Sequence, residues 1–183
     1  MKLIATVGMA GSGKSVITKL IEKRGFKRIR FGDITDEEVE KQGMALTEEN
    51  EKKVREGLRD TYGMAAYAKL NLPKIEKYIF ESDVILDGLY SWEEYTLLKE
   101  KFPEMIVLAI YCPPELRYER LLDRDIRPLT REQGISRDHK EVVNLHKAGP
   151  IAMADYSLFN VGTMFDLNNN LEKFFEWLEE KDE

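Results

Sequence analysis

Gly8-Met9-Ala10-Gly11-Ser12-Gly13-Lys14-Ser15 sets a lysine and a hydroxyl directly behind spaced glycines. It satisfies G-x-x-x-x-G-K-[ST] at every fixed position. Glycines let the backbone curl until successive N–H groups point inward as an anion nest. A helix beginning at the lysine adds the positive end of its dipole. In such a phosphate-binding loop, Lys14 reaches the β- and γ-phosphates of ATP and the Ser15 hydroxyl ligates Mg²⁺. Gly8, Gly11, Ser12, Gly13, Lys14 and Ser15 are therefore candidate ATP-binding residues.

Two carboxylates stand where they would serve that loop. Val84-Ile85-Leu86-Asp87-Gly88 ends an apolar run on an acid, and α/β sheets bind ligands at the carboxyl ends of their strands. Asp87 is thus the second candidate metal ligand, directly or through a water, and a catalytic candidate. Asp33, in Phe31-Gly32-Asp33, would orient or deprotonate an acceptor hydroxyl if it faced the γ-phosphate. Its plainer reading is a turn aspartate.

Arginines concentrate in one segment. Arg117, Arg120, Arg124, Arg127, Arg131 and Arg137 outnumber Glu119, Asp123, Asp125 and Glu132, giving +2 within a chain of −6. Phosphoryl transfer asks mainly for positioning and charge stabilisation, so an arginine-rich lid over the phosphates fits it. Arg120 and Arg124 lie four apart on one helix face. Arg117 and Arg131 read more readily as surface ion-pair residues. Arg55 and Arg59 are also four apart and would clamp an acceptor phosphate, although Glu51, Glu56 and Asp60 are near enough to pair with them. With Gly88 they form the candidate acceptor-binding set.

The elements that must position these residues are legible. Leu3–Val7, Val84–Leu86, Ile106–Tyr111 and Tyr156–Phe159 read as buried parallel strands, with Arg28–Phe31 a weaker fifth. Helices are predicted over Lys14–Arg24, Thr47–Tyr62, Met64–Phe80, Ser91–Phe102 and Pro114–Arg124. A last helix is expected from Asn169, with Glu172 completing a capping box. Alternating strands and helices give an α/β doubly wound sheet. Two connections are long: Ile34 to Phe80, expected to hold the acceptor, and Asp125 to Ser136, within a lid spanning 120–137. Connections of that length are usually functional.

Bulk properties narrow the setting. One domain over 1–183 is expected. The net charge of −6 argues against a nucleic-acid-coating protein. The lone Cys112 excludes an intramolecular disulfide and suits a reducing, cytoplasmic setting. No run long enough to span a membrane is present. A monomer or small homo-oligomer is expected.

Taken together, the glycine loop, the Asp87-Gly88 pair, Arg120-x-x-x-Arg124 and the ending Ala154-Asp155-Tyr156 through Asn160 resemble P-loop kinases of the nucleoside-monophosphate-kinase and dephospho-CoA-kinase group. The ending is most similar to dephospho-CoA kinases and their relatives. The resemblance implies a P-loop NTPase fold, three layers αβα, with five parallel strands in order 2-3-1-4-5. It implies that Arg120 stacks on adenine, that Arg124 touches the transferred phosphoryl group, and that Asn160 to Gly162 line the adenine pocket. It further implies ATP-dependent transfer to dephospho-CoA or a (deoxy)nucleoside monophosphate. Departures lie on the acceptor side. Asp36 and Ser91 stand where adenylate kinases carry the arginines that hold the acceptor's phosphate, which argues against the standard AMP mode. A histidine-proline pair of the CoA-binding insertion is also missing. The alternative is an ATP-binding switch or ATPase acting with a protein or RNA partner. Such proteins usually import their arginine, so the lid arginines favour the kinase.

Overall fold

The computed structural model describes residues 1–125 and 128–181. Its sheet contains β1 (Leu3–Val7), β2 (Lys27–Arg30), β3 (Val84–Asp87), β4 (Ile106–Tyr111) and β5 (Tyr156–Phe159). All neighbours are parallel, in the order β2-β3-β1-β4-β5. This is the expected topology.

The central strand shows why both faces must be covered. Every residue of β1 is buried. Leu3, Ala5 and Val7 pack with Phe31, Tyr67, Ile75 and Leu98 on one face. Ile4 points the other way, into Ile17, Ile21, Leu171 and Phe174. Side chains alternate across a strand, so a strand buried at each position needs a helical layer on each side. Here those layers include α1 (Lys14–Glu22) and α9 (Met164–Glu180) against α4 (Ala66–Ile79) and α5 (Trp92–Lys101).

Register brings the chemistry to one edge. Thr6 of β1 lies beside Asp87 of β3, which lies beside Arg30 of β2. The glycine loop, Asp87 and the start of α2 (Asp33–Lys41) therefore leave the same end of the sheet.

The long connections hold more helix than the sequence suggests. Ile34 to Phe80 contains most of α2, then α3 (Glu48–Tyr62) and α4. The acid-rich α2 buries only Thr35 and Val39, leaving little apolar periodicity to read. After α6 (Pro114–Leu122), α7 (Arg131–Val143) begins inside the second connection, started by a Thr130–Gln133 capping box. A one-turn α8 (Ala148–Ala152) follows. The last helix starts earlier than expected. Thr163 and Asp166 form its capping box, so Asn169 and Glu172 sit inside it. Arg127 of the arginine-rich segment and the last two acids of the tail lie outside the described residues. Among those described, no helix is long and apolar enough to cross a membrane.

Candidate active site

The glycine loop is built against α6 and the residue following β5. Gly13 has φ 96°, and a Cβ there would lie 2.1 Å from Asn160 Nδ2. Gly11 has φ 80°, and its Cβ would lie 2.7 Å from the Arg117 carbonyl. Both conformation and space therefore demand glycine. Asn160 Nδ2 donates to the Ser12 carbonyl at 2.8 Å, tying the loop to the end of β5. Ser12 Oγ is buried with no hydrogen-bond partner. A buried hydroxyl left unpaired is costly, and here it lies in a loop whose form suits an oxyanion.

Lys14 begins α1 and folds back over the loop, donating to the carbonyls of Gly8 at 2.7 Å and Met9 at 3.0 Å. Burial and the neighbouring Lys147 charge lower its pKa to about 7, against the opposing pull of Glu141 and Asp87. An incoming phosphate would supply the negative charge this ammonium lacks.

Opposite the loop, α7 presents a cluster that the sequence did not reveal. Glu141 Oε2 accepts from the Ala10 N–H at 3.2 Å and from Lys147 Nζ at 2.9 Å. Its Oε1 accepts from Arg137 Nε at 3.3 Å. Glu141 and Lys147 are both buried, with side chains 8% and 3% exposed. Burial pushes the Glu141 carboxyl up, but Lys147, Lys14 and Arg137 pull it down to about 2.

Arg117 corrects the surface reading. It is buried, donating from Nε to the Cys112 carbonyl at 3.1 Å and from Nη1 to the Ala10 carbonyl at 3.0 Å. Its Nη1 and Nη2 also meet the two oxygens of Asp138 at 2.8 and 2.5 Å. Arg117 lies four residues before the fully buried Leu121, so both share the inner face of α6. It is a strut joining the loop, α6 and α7. Arg131, by contrast, pairs with Glu115 at 2.6 Å on the surface, as expected.

Arg120 Nη1 donates to the Asn160 carbonyl at 3.1 Å, which brings these two ATP-binding candidates together. Arg124 is exposed. Local desolvation and the charge of Arg137 nonetheless lower its pKa, with Glu141 opposing. Its guanidinium thus feels the cluster beside the loop.

Asp87 is buried and receives Arg28 Nε at 3.1 Å and Nη2 more closely, both on Oδ2. Ser15 is exposed at the start of α1. A serine hydroxyl and a carboxylate are oxygen donors that fit Mg²⁺, which takes few protein ligands and completes its shell with phosphate and water. Among the described residues no group of three or more His, Cys, Asp or Glu forms a metal cage. Asp33 opens α2 and shares Arg30 Nη1 with Asp36, each at 2.7 Å. Asp36, which replaces an expected arginine, is therefore bonded to one.

The acceptor candidates diverge. Arg55 is engaged on its own helix by Glu48 at 2.6 Å and Glu51 at 3.3 Å. Arg59 lies 5.4 Å from the centre of the Tyr67 ring, and its buried Nε has no hydrogen-bond partner. Gly88 has φ 110° and is packed against the Tyr90 ring.

Residues 4–142 match the protein-family model described as an AAA domain. A UPF0200 protein of Thermococcus kodakarensis is 40% identical over 179 residues, covering 95% of this chain and 96% of that protein. The chain belongs to the UPF0200 family. Among solved structures, this UPF0200 chain is similar to shikimate kinase from Bacteroides thetaiotaomicron, with TM-score 0.64 and 13% identity over 97% of this chain and 98% of that one. It is also similar to dephospho-CoA kinase from Campylobacter jejuni, with TM-score 0.61 and 17% identity over the whole of both chains. At those identities the likeness shows the fold, which is the P-loop kinase fold.

Proposed function

We propose that this protein is an ATP-dependent phosphotransferase that moves the γ-phosphate to a small nucleotide-type acceptor, dephospho-CoA or a (deoxy)nucleoside monophosphate. The observation that carries the reading is the loop itself, where the Lys14 ammonium and the unpaired Ser12 hydroxyl lie among glycines that tolerate no side chain. Backbone N–H groups and Lys14 bind the phosphates. Arg120 and Asn160, already in contact, hold the adenine end. Ser15 and Asp87 would hold Mg²⁺, which neutralises charge on the phosphates when bound. Arg124 stabilises the charge of the transferred phosphoryl group. Asp33 orients the acceptor hydroxyl, the insertion over 34–80 supplies Arg55 and Arg59 to the acceptor, and Gly88 joins them from the end of β3.

A switch or ATPase waiting for a partner's arginine is the weaker reading, because the same chain brings Arg137 to the Glu141 that holds the Ala10 N–H of the loop, and Arg124 feels both of those charges. The experiment is ADP release measured with and without a panel of acceptors, followed by mass analysis of the product. A phosphorylated acceptor with stimulated ADP release is expected. Slow hydrolysis indifferent to every acceptor would favour the switch.

A further inference from the structure

The cluster around Glu141 has the composition of a phosphate site with the phosphate replaced by a carboxylate. Its oxygens take a loop N–H from Ala10, an ammonium from Lys147 and a guanidinium from Arg137. These are the donor types that a triphosphate bound in this loop would use. Glu141 comes from α7, far along the chain from Ala10, so the contact is made by packing and not by a local turn.

We propose that Glu141 is a built-in placeholder for a ligand phosphate, and that Lys147 and Arg137 are further phosphate-binding residues held ready by it. The proposal rests on the reading of the glycine loop as a triphosphate site. When the polyphosphate enters, its oxygens take the Ala10 N–H and the two cations, and the Glu141 carboxylate gives them up. No bond is made or broken; one anion replaces another.

Charge and burial support the exchange. Lys14, Lys147 and Arg137 act electrostatically on one another's surroundings, with Glu141 the carboxylate among them. Asp87, the other acid sensed by Lys14, is already engaged by Arg28. Positive charge is thus in excess beside the loop, as a polyanion requires. A buried ion pair is weak support for stability in itself, since well-packed apolar residues often serve as well. The Lys147 N–H also donates to the Glu141 carbonyl at 3.1 Å, so the turn after α7 is closed by backbone whether or not the side chains pair. The side-chain pairing is then available for a ligand.

The test is calorimetric titration of the full chain with inorganic tripolyphosphate, using adenosine as the phosphate-free control. Glu141→Gln removes the competing charge and should tighten tripolyphosphate binding by about tenfold, the scale of one partly buried charge interaction. Glu141→Asp keeps the charge but withdraws it from the loop, and should tighten binding by roughly threefold on the same scale. Lys147→Gln should weaken it by about tenfold. Adenosine binding should move in none of them. Equal or weaker tripolyphosphate binding in the Glu141 variants would overturn the placeholder, and unchanged binding in Lys147→Gln would return that lysine to a structural role. If Glu141→Gln fails to fold, Glu141→Asp decides alone. A separate arm with Lys14→Ala isolates the parent reading: if that variant bound tripolyphosphate as well as the wild type, the triphosphate site itself would fall, and the placeholder with it.

Discussion

Arg120 and Arg124 do not share a helix face as their spacing predicts, because α6 ends at Leu122 and leaves Arg124 beyond its cap, and the two meet different surroundings. Arg120 is anchored on the carbonyl of Asn160, at the edge where the loop meets β5. Arg124 senses Arg137 and Glu141, the charges that face the loop. Arg124→Lys should therefore lower kcat far more than it weakens ATP binding, because lysine keeps the charge and loses the planar fork. Arginines in this role are worth about 10³–10⁵ in rate, and lysine should recover only part of that. Arg120→Ala should instead raise the KM for ATP, because its proposed role of stacking on adenine is a ground-state contact worth about 0.5–2 kcal/mol. Single-turnover kinetics separates the profiles, and identical profiles would refute the two roles. The glycine loop was legible residue by residue because its chemistry is local in sequence. Glu141 and Lys147 were not, because a glutamate on a charged helix and a lysine in a turn look like surface residues until packing carries them to Ala10.

Elements transmit this chemistry through a few fixed contacts. The inner face of α6 carries Arg117 between Ala10 of the loop and Asp138 of α7, so one side chain sets the spacing of three elements. Arg117→Met should leave Asp138 deprived of its guanidinium partner and cost about 3–5 kcal/mol, as breaking buried pairs does. In a chain of this size that is a fall in Tm of roughly 6–20 °C. Thermal unfolding checks it, and a loss under about 1 kcal/mol would mean that the strut is dispensable. The i,i+4 relation of Arg117 to Leu121 was present in the sequence, but the charge disguised an inward position as a surface one. Helix starts were legible where a cap abuts an apolar pattern, as at Ser91 and Glu94. The start of α9 was missed because Thr163 and Asp166 bracket exposed Met164 and Phe165, whose apolar side chains do not mark the buried face.

At the scale of the whole molecule, the α/β class followed from strand-like apolar runs alternating with helices and the strand order from the resemblance to P-loop kinases, while the state of each buried acid depends on which layers close over it. Glu94 shows the consequence. It is fully buried at the start of α5, where Oε2 accepts from the Tyr90 N–H at 2.7 Å and Oε1 has no hydrogen-bond partner. Burial raises its pKa from 4.5 to about 7, against the opposing effects of the Tyr90 N–H, Arg59 and Lys147. Between those values the folded chain holds a proton that the unfolded chain has released. Stability contributed by this group is therefore complete below pH 4.5 and is lost as pH rises to about 7. Glu141 runs in the opposite sense, since its lowered pKa of about 2 costs stability only as pH falls below 4.5. Glu94→Gln keeps an acceptor for Tyr90 N–H and removes the titration. The variant should match the wild type near pH 4 and exceed it at pH 8 by on the order of 3 kcal/mol. Thermal unfolding of both chains across that range is the measurement. A difference in Tm that stayed constant with pH would show that Glu94 is ionised to the same extent in the folded and unfolded chains, and that the layer over β3 admits water to it.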